Sequence, residues 1–310
     1  MATHAIQVEN LSKRYGKDVQ ALSQVSFEVG RGELFGLIGP DGAGKTTLIR
    51  ILATLLLADE GQALVNGWEV RRDYRKIRSH IGYMPGRFSL YQDLSVEENL
   101  HFFATIFGAT IEENYDLIRD IYVQLEPFRD RKAGKLSGGM KQKLALCCAL
   151  IHKPIVLLLD EPTTGVDPVS RQEFWEMLKR LKEKDIAILV STPYMDEASL
   201  CDRVALIQKG RLLSIDEPEN IVAAFEKPLL AVRTNDMYRL IHDLREFEPA
   251  HSVFPFGEYV HLALRSPIWP EAIHAYLAGK EHTGIEIKPA QATIEDAFME
   301  LMTQREEVAD

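Results

Sequence analysis

The sequence has few cysteines, no long apolar run and no surplus of positive charge, and each shortage closes off a class of protein. Three cysteines in 310 residues, Cys147, Cys148 and Cys201, are too few for a disulfide scaffold and lack the Cys-x-x-Cys spacing of a metal knuckle or redox pair. Two of them adjoin inside a helical pattern and read as buried thiols in a reducing compartment. No window approaches ~18 uninterrupted apolar residues, and the opening MATHAIQVENLSKRY is too polar for a secretory signal. Any membrane connection is therefore expected to come through a partner. The formal net charge is −10, and the cations are scattered apart from a short run from Arg71 to Arg78, which excludes a broad nucleic-acid footprint. That run reads as a solvated surface. Internal repeats and low-complexity tracts are also lacking. With 46% hydrophobic and 26% charged residues, what remains is an ordinary globular composition, long enough for one large or two medium domains.

What is present centres on LFGLIGPDGAGKTTLIRIL, Leu34 to Leu52, which reads as strand, glycine-rich turn and helix. Gly39, Gly42 and Gly44 permit turn conformations closed to residues with a Cβ, so successive N–H groups converge on phosphate oxygens at a helix N-terminus. The spacing from Gly39 through Pro40, Asp41, Gly42, Ala43 and Gly44 to Lys45, Thr46 and Thr47 fits the G-x-x-x-x-G-K-[ST] pattern of a phosphate-binding loop. Lys45 is then expected to reach the β/γ-phosphates and Thr46 to ligate Mg²⁺. An ordinary glycine-rich strand-to-helix turn is the plainer alternative.

Along the chain, Ile6 to Leu11 and Leu22 to Val29 alternate apolar and polar positions and read as antiparallel strands, and Gln62 to Val70 offers another with a turn at Asn66-Gly67. Ile77 to Met84 reads as leading through a strand into Pro85-Gly86. From Leu94 to about Leu150 the spacing is helical, with a capping-box signal at Ser95 and Glu98. Apolar strands follow at Ile155 to Leu159 and Ile186 to Ser191, separated by an amphipathic helix from Arg171 to Lys184; Val204 to Gln208 and Arg211 to Ile215 flank a Lys209-Gly210 turn. Pro218 opens a short helix to about Phe225. The pattern predicts an α/β fold with a mixed central sheet, an antiparallel edge sheet and an inserted helical lobe over about 87–153. A boundary is expected near Glu226 to Pro228, dividing a domain at 1–227 from a small α+β domain at 228–310. In the latter, strands are expected at Leu229 to Arg233 and Tyr259 to Leu264, with helices at Met237 to Phe247 and Thr293 to Gln304.

A phosphate loop with Mg²⁺ needs oxygen ligands elsewhere, and Ile155 to Glu161 supplies them. Asp160, at the carboxyl end of an apolar strand, is placed to hold the metal directly or through water, and Glu161 to polarise an attacking water. A strand-end cap on Pro162-Thr163 is the plainer alternative. Between these segments lies LSGGMKQKLALCCAL, Leu136 to Leu150, where Ser137 with the Gly138 and Gly139 amides makes a second anion site at a helix N-terminus. One protein needs a second phosphate site only if it serves another molecule's nucleotide.

On the phosphate loop, LSGGM, LLLDEPT and the GVDP turn together, the chain over residues 1 to about 227 resembles the ATP-binding subunit of an ATP-binding cassette (ABC) transporter. The resemblance implies a P-loop NTPase fold, with ATP and Mg²⁺ sandwiched between two cassettes packed head to tail. It implies that Tyr15 stacks on adenine and that Asp167 links the two sites across the dimer. A turn tyrosine, and a cap for the helix beginning near Pro168, are the plainer roles for these two. It further implies an integral membrane permease as partner, no nucleic acid, and a peripheral position on the cytoplasmic face of the plasma membrane. Translation-type relatives carry two cassettes in one chain, and repair types a long coiled coil before the signature. About ninety residues separate Thr46 from Leu136 here, which fits neither.

Two positions depart from the family pattern. The glutamine expected after the strand IGYMP is Gly86, and the histidine expected after ILVST is Pro193, which has no donor on side chain or backbone. Gln92, six residues after Gly86, reads as a solvent-facing helix-entry residue. Both losses fall on the site built from this chain's own Lys45, Thr46, Asp160 and Glu161, whereas Ser137 to Gly139 are intact. The expectation is an ATPase with weak turnover at its own site, paired with a different cassette. The alternative is a non-hydrolysing regulatory or scaffold subunit. The ending QATIEDAFMELM, where Thr293 and Asp296 suggest an N-cap and Ile294, Ala297, Phe298 and Leu301 a stripe, resembles ABC-2 type exporters. Pro40-Asp41 is likewise similar to the degenerate cassette of paired systems.

Overall fold

The computed structural model describes residues 4–309, with side chains through Gln304; the first three residues of the polar opening stretch and Asp310 lie outside the described residues. Two units are distinguished, Met1–Pro218 and Glu219–Asp310. The division falls nine residues before the boundary expected at 227/228, because the short helix after Pro218 clusters with the second unit.

The first unit runs β1 (His4–Tyr15), β2 (Val19–Gly30), β3 (Leu34–Ile38), α1 (Lys45–Leu52), β4 (Glu60–Val65), β5 (Trp68–Glu69), α2 (Tyr74–Arg78) and β6 (Ile81–Met84). It continues with α3 (Val96–Ile106), α4 (Tyr115–Tyr122), α5 (Gly138–Leu150), β7 (Val156–Asp160), α6 (Pro168–Lys182), β8 (Ala187–Thr192), β9 (Arg203–Gln208) and β10 (Arg211–Asp216). The six-stranded sheet has the order β10-β9-β3-β8-β7-β6. All its pairs are parallel except β10 with β9. Buried on both faces, β3, β7 and β8 explain why these strands read as continuous apolar runs.

The antiparallel strands form a sheet of their own, β2-β1-β4-β5, as the expected edge sheet. Its apolar face packs with Leu48, Ile49, Ile51 and Leu52 of α1 and with Phe35, Leu37, Leu158 and Leu189 of the central sheet in one core. Burying each such α1 side chain contributes about 2 kcal/mol, so packing rather than propensity fixes this eight-residue helix. The alternation read in Ile6 to Leu11 is interrupted by register shifts between Val8 and Leu11, where Asn10 has φ 49° and its N–H bonds to the Ser26 hydroxyl at 2.8 Å. The predicted strand from Ile77 begins only at Ile81, because Ile77 lies in α2 and buries its side chain from a helical turn.

Between β6 and β7 the described structure is helical. The capping box at Ser95 and Glu98 is formed, with both reciprocal hydrogen bonds present, at 2.7 and 3.1 Å.

The helix α7 (Pro218–Ala223) begins on the last residue of the first unit, and the second unit continues with β11 (Leu229–Arg233), α8 (Met237–Arg245), β12 (Ala250–Phe256), β13 (Tyr259–Leu264), α9 (Pro270–Gly279), β14 (Glu286–Pro289) and α10 (Ile294–Ala309). The order β12-β13-β11-β14, antiparallel throughout, is that of a βαββαβ motif. Leu240 and Leu244 of α8 and Ile273 and Leu277 of α9 cover one sheet face. α10 bonds to the sheet through His261–Asp296 at 2.8 Å and His251–Glu300 at 2.7 Å. Its Ile294, Ala297 and Phe298 are buried, and the Thr293–Asp296 cap is present.

Replacing Ser95 with Ala should lower stability by about 1 kcal/mol, read as a shift in denaturant midpoint, with Ser95→Asn restoring most of it.

Candidate functional site

The carboxyl ends of β3, β7 and β8 lie side by side, with Ile38 opposite Thr192 and Asp160 opposite Ser191. Loops leaving these ends converge, the usual place for a ligand on a parallel sheet. The first loop, Gly39 to Gly44, is confined by its neighbours. A Cβ at Gly39 would lie 2.1 Å from the Ile207 carbonyl oxygen, and one at Gly44 2.4 Å from that of Ala21. Gly44 also has φ 108°, a conformation closed to L side chains. It stands at the N-cap of α1, and no side chain caps the helix. The first N–H groups of α1 therefore face the loop without an intrahelical partner.

Lys45 is 3% exposed and its ammonium is enclosed by three oxygens: Gly39 O at 2.7 Å, Pro40 O at 3.0 Å and Glu161 Oε1 at 3.1 Å. The Thr46 hydroxyl donates to Asp160 Oδ1 at 3.0 Å. The Tyr15 hydroxyl lies 3.4 Å from Thr47 Oγ1, leaving a half-exposed ring beside the start of α1. Ala43 is buried, Pro40 partly buried, and Asp41 and Gly42 are exposed at the loop's outer turn.

Ser191, which the sequence marked only as the end of an apolar strand, organises the two carboxylates. Fully buried, it donates to Asp160 Oδ1 at 2.9 Å, and its Oγ and carbonyl oxygen accept from the Glu161 N–H at 3.0 and 3.1 Å. Glu161 has φ 50°, so the chain is bent out of the strand into a costly conformation at the residue that meets Lys45. The only trace of the Ser191 role in the sequence was a polar residue at the carboxyl end of an apolar parallel strand. The Tyr83 phenol is pushed above its ordinary range, first by burial and second by the negative charge of Asp160.

Gly86 and Pro193 both border this site. A Cβ at Gly86 would lie 3.1 Å from the Asp160 carbonyl oxygen and 3.8 Å from Oδ2. Pro193 follows Thr192, whose carbonyl accepts from the Gly39 N–H at 3.3 Å. Gln92 is exposed, and its carbonyl accepts from the Gly134 N–H at 2.9 Å.

Ser137, Gly138, Gly139 and Asp167 gather elsewhere. Ser137 caps α5 by accepting from Met140 N at 3.3 Å, and Asp167 caps α6 by accepting from Ser170 N at 3.0 Å. A Cβ on Gly139 would meet Ser170 Oγ at 2.4 Å and its Cβ at 2.6 Å, so the two helix starts touch. Lys143, buried on α5, bonds to Glu173 of α6 at 2.5 Å. Among the described residues no hydrogen bond or ion pair joins this pair of helix starts to the phosphate loop. A second network missed from the sequence ties the turn after β7 to the segment after β8. There Thr163 Oγ1 donates to buried Glu197 at 2.8 Å, and Arg171 pairs with Glu197 at 2.9 Å while lying over the Tyr194 ring.

The donor set suits a magnesium–polyphosphate. Loop N–H groups and an ammonium suit phosphate oxygens, and a hydroxyl beside a carboxylate suits Mg²⁺, which is held by few protein ligands. Among the described residues no group of three or more His, Cys, Asp or Glu would hold a metal alone.

Residues 22–164 match the family described as ABC transporter. The chain is 41% identical over 220 residues to the probable multidrug ABC transporter ATP-binding protein YbhF of Escherichia coli strain K12, covering 70% of this chain and 38% of that one. It is 36% identical over 305 residues to the Nod factor export ATP-binding protein I of Burkholderia pseudomallei strain K96243, covering 97% and 98%. The solved dimeric structure of a bacterial ABC transporter cassette superposes with a TM-score of 0.62 at 26% identity, over 68% of this chain and 98% of that one.

Two outcomes follow for the paired helix starts. Gly139→Ala should destabilise the chain, since overpacking against Ser170 costs about 1–3 kcal/mol and outweighs a helix-propensity gain of about 1 kcal/mol. In a Ser170→Gly background the sign should reverse; thermal midpoints of the four chains check this. Hydrogen bonds from the Ser170 backbone, then its side chain, hold the Asp167 carboxyl below its ordinary 3.8. The cap's stabilisation is thus present above pH 3.8 and lost as pH falls through the lower folded value. The stability difference between wild type and Asp167→Ala should shrink over that window.

Proposed function

The chain belongs to the ABC transporter family, and from that premise we propose that it is the ATP-binding subunit of an ABC-2 type exporter. In this proposal it holds MgATP between head-to-tail cassettes at the cytoplasmic face of the membrane, and its partners are a different cassette and an integral membrane permease. The observation that carries it is the enclosure of Lys45 by Gly39, Pro40 and Glu161 beside the Thr46–Asp160 pair.

When bound, MgATP supplies a γ-phosphoryl group open to attack by water and a metal that offsets its charge. The rest is the work of the chain. The glycine amides and Lys45 receive the phosphates, Thr46 and Asp160 hold the metal, and Tyr15 offers its ring face to the base. Phosphate oxygens compete with Glu161 for the Lys45 ammonium, so nucleotide binding frees the Glu161 carboxylate to take a proton from water. Ser137, Gly138 and Gly139 serve the partner's nucleotide, and Asp167, six residues after Glu161 and against the same helix start, relates one site to the other.

Gly86 and Pro193 weaken the chain's own site. Neither offers a side chain to position water beside Asp160 or to bond the γ-phosphate beside Gly39. In this proposal the site binds ATP and turns it over slowly, and faster hydrolysis belongs to the partner's site. The permease has a fitting surface in an apolar cavity of about 330 Å³ lined by Leu55, Met84, Leu90, Phe103 and Phe107. Met84 and Pro85 on its wall lead directly into Gly86.

Steady-state ATP turnover by the purified chain tests the proposal. The wild type should be slow, Glu161→Gln should abolish what remains, and Gly86→Gln with Pro193→His should raise turnover at least ~10-fold, about 1.4 kcal/mol of barrier. Fast wild-type turnover that is lost in Glu161→Gln would refute the impaired site. Binding without turnover in the double variant as well would favour the non-hydrolysing regulatory subunit.

A further inference from the structure

The run of cations from Arg71 to Arg78 has no part in the nucleotide site, yet the fold builds a definite surface from it. Arg71 Nη2 donates to the Ala58 carbonyl at 2.9 Å, while Arg78 donates to Thr54 through its carbonyl and hydroxyl oxygens, each at 2.8 Å. These two arginines grip both ends of the loop 54–58, and that loop holds Leu55 at 54% exposed and Leu57 at 60%. Tyr74 is also exposed, with the Arg78 and Arg75 guanidinium groups 5.3 and 5.8 Å from its ring centre. Arg75 and Lys76 stand exposed on α2, and Arg72 is exposed in the turn just before it. Glu69 and Asp73 are the carboxylates of this segment, and both are engaged: Glu69 accepts from the Arg71 and Arg72 N–H groups and from Arg72 Nε, and Asp73 from the Glu69 N–H. At the loop's end Asp59 is paired with Lys13, and Glu60 is exposed. Five cations against the two segment carboxylates leave a local excess of three positive charges in a chain of net charge −10.

We propose that this surface, Arg71, Arg72, Arg75, Lys76 and Arg78 around Leu55, Leu57 and Tyr74, contacts the anionic headgroups of a membrane. Charge complementarity supports that occupant, and so does composition. Cations interleaved with protruding leucines and an aromatic ring suit the boundary between headgroups and acyl chains, where each Lys or Arg adds to binding and short apolar side chains insert. An acidic peptide would use the cations and leave the leucines in water. The contact revises the expectation that this run is only a solvated surface. It rests on the proposed permease coupling only for its setting at a membrane, and Arg78 and Leu55 also line the cavity assigned to that partner.

The test is co-sedimentation of the full chain, without nucleotide or permease, with vesicles of pure phosphatidylcholine or of phosphatidylcholine with 30% phosphatidylglycerol. Binding is expected to the anionic vesicles alone and to weaken with salt. Arg72→Gln/Arg75→Gln/Lys76→Gln should weaken it ~100-fold or more, at roughly 5-fold per cation, while Arg72→Lys/Arg75→Lys should keep it. Leu55→Ser/Leu57→Ser, which keeps every cation, should weaken it at high salt. Equal binding to neutral vesicles, no binding to anionic ones, or a triple variant that binds like the wild type would overturn the inference. The turnover assay of the purified chain contains no lipid, so failure here leaves its result untouched.

Discussion

A buried ammonium needs oxygens around it, and the placement of Lys45 depends on three strands at once. Its partners are two carbonyls of the loop leaving β3 and a carboxylate from the end of β7. Ser191 of β8 fixes both Asp160 and the backbone of Glu161. A slip of one residue in the β7–β8 register would part Asp160 from Ser191, which now stand opposite each other. The all-apolar interiors of β3, β7 and β8, together with the α1 core, hold that register. Losing one partner of a buried ion pair costs about 3–5 kcal/mol, so Glu161 and the two carbonyls that complete the ammonium's shell stabilise the loop. Phosphate offers the same kind of oxygen, so in the proposed function nucleotide binding is an exchange of partners rather than a new burial of charge.

The strand, glycine-rich turn and helix around Lys45, and the carboxylates at the end of β7, were legible because their pattern is written locally. Glycines with this spacing point to a tight strand-to-helix turn, and carboxylates ending an apolar strand stand out from the residues before them. Ser191 was not legible, since its partners come from another strand and only the fold brings them together. The same holds for the Arg171–Glu197–Thr163 network, spread over 35 residues of sequence. Strain at Glu161 leaves no mark in composition at all. In the antiparallel sheet the shift beside Asn10 broke an alternation that propensity alone reads as a strand end.

In the second unit the central strands β11 and β13 were readable and the edge strands were not. β12 contains Pro255, which speaks against a strand unless it lies at an edge, and β14 has only four residues. The helix α9 begins on Pro270 and mixes small and apolar residues without a clear stripe. Conversely, α10 was foreseen from its cap, but its buried His–carboxylate pairs with β12 and β13 depend on strands not both visible beforehand. In the cassette unit, contact between the starts of α5 and α6 places Ser137 and Asp167 on one rigid edge, consistent with service to a site outside this chain.

The central claim is that this phosphate loop holds ATP more than it hydrolyses it, because Gly86 and Pro193 leave Asp160 and Gly39 without side chains to organise water. The most direct measurement mixes the purified chain once with labelled MgATP, isolates the protein at intervals, and identifies the nucleotide that remains bound. The account predicts tight binding with intact ATP dominating long after saturation, and binding lost in Lys45→Ala. Prompt conversion of the bound nucleotide to ADP at this chain's own site, prevented by Glu161→Gln, would contradict it.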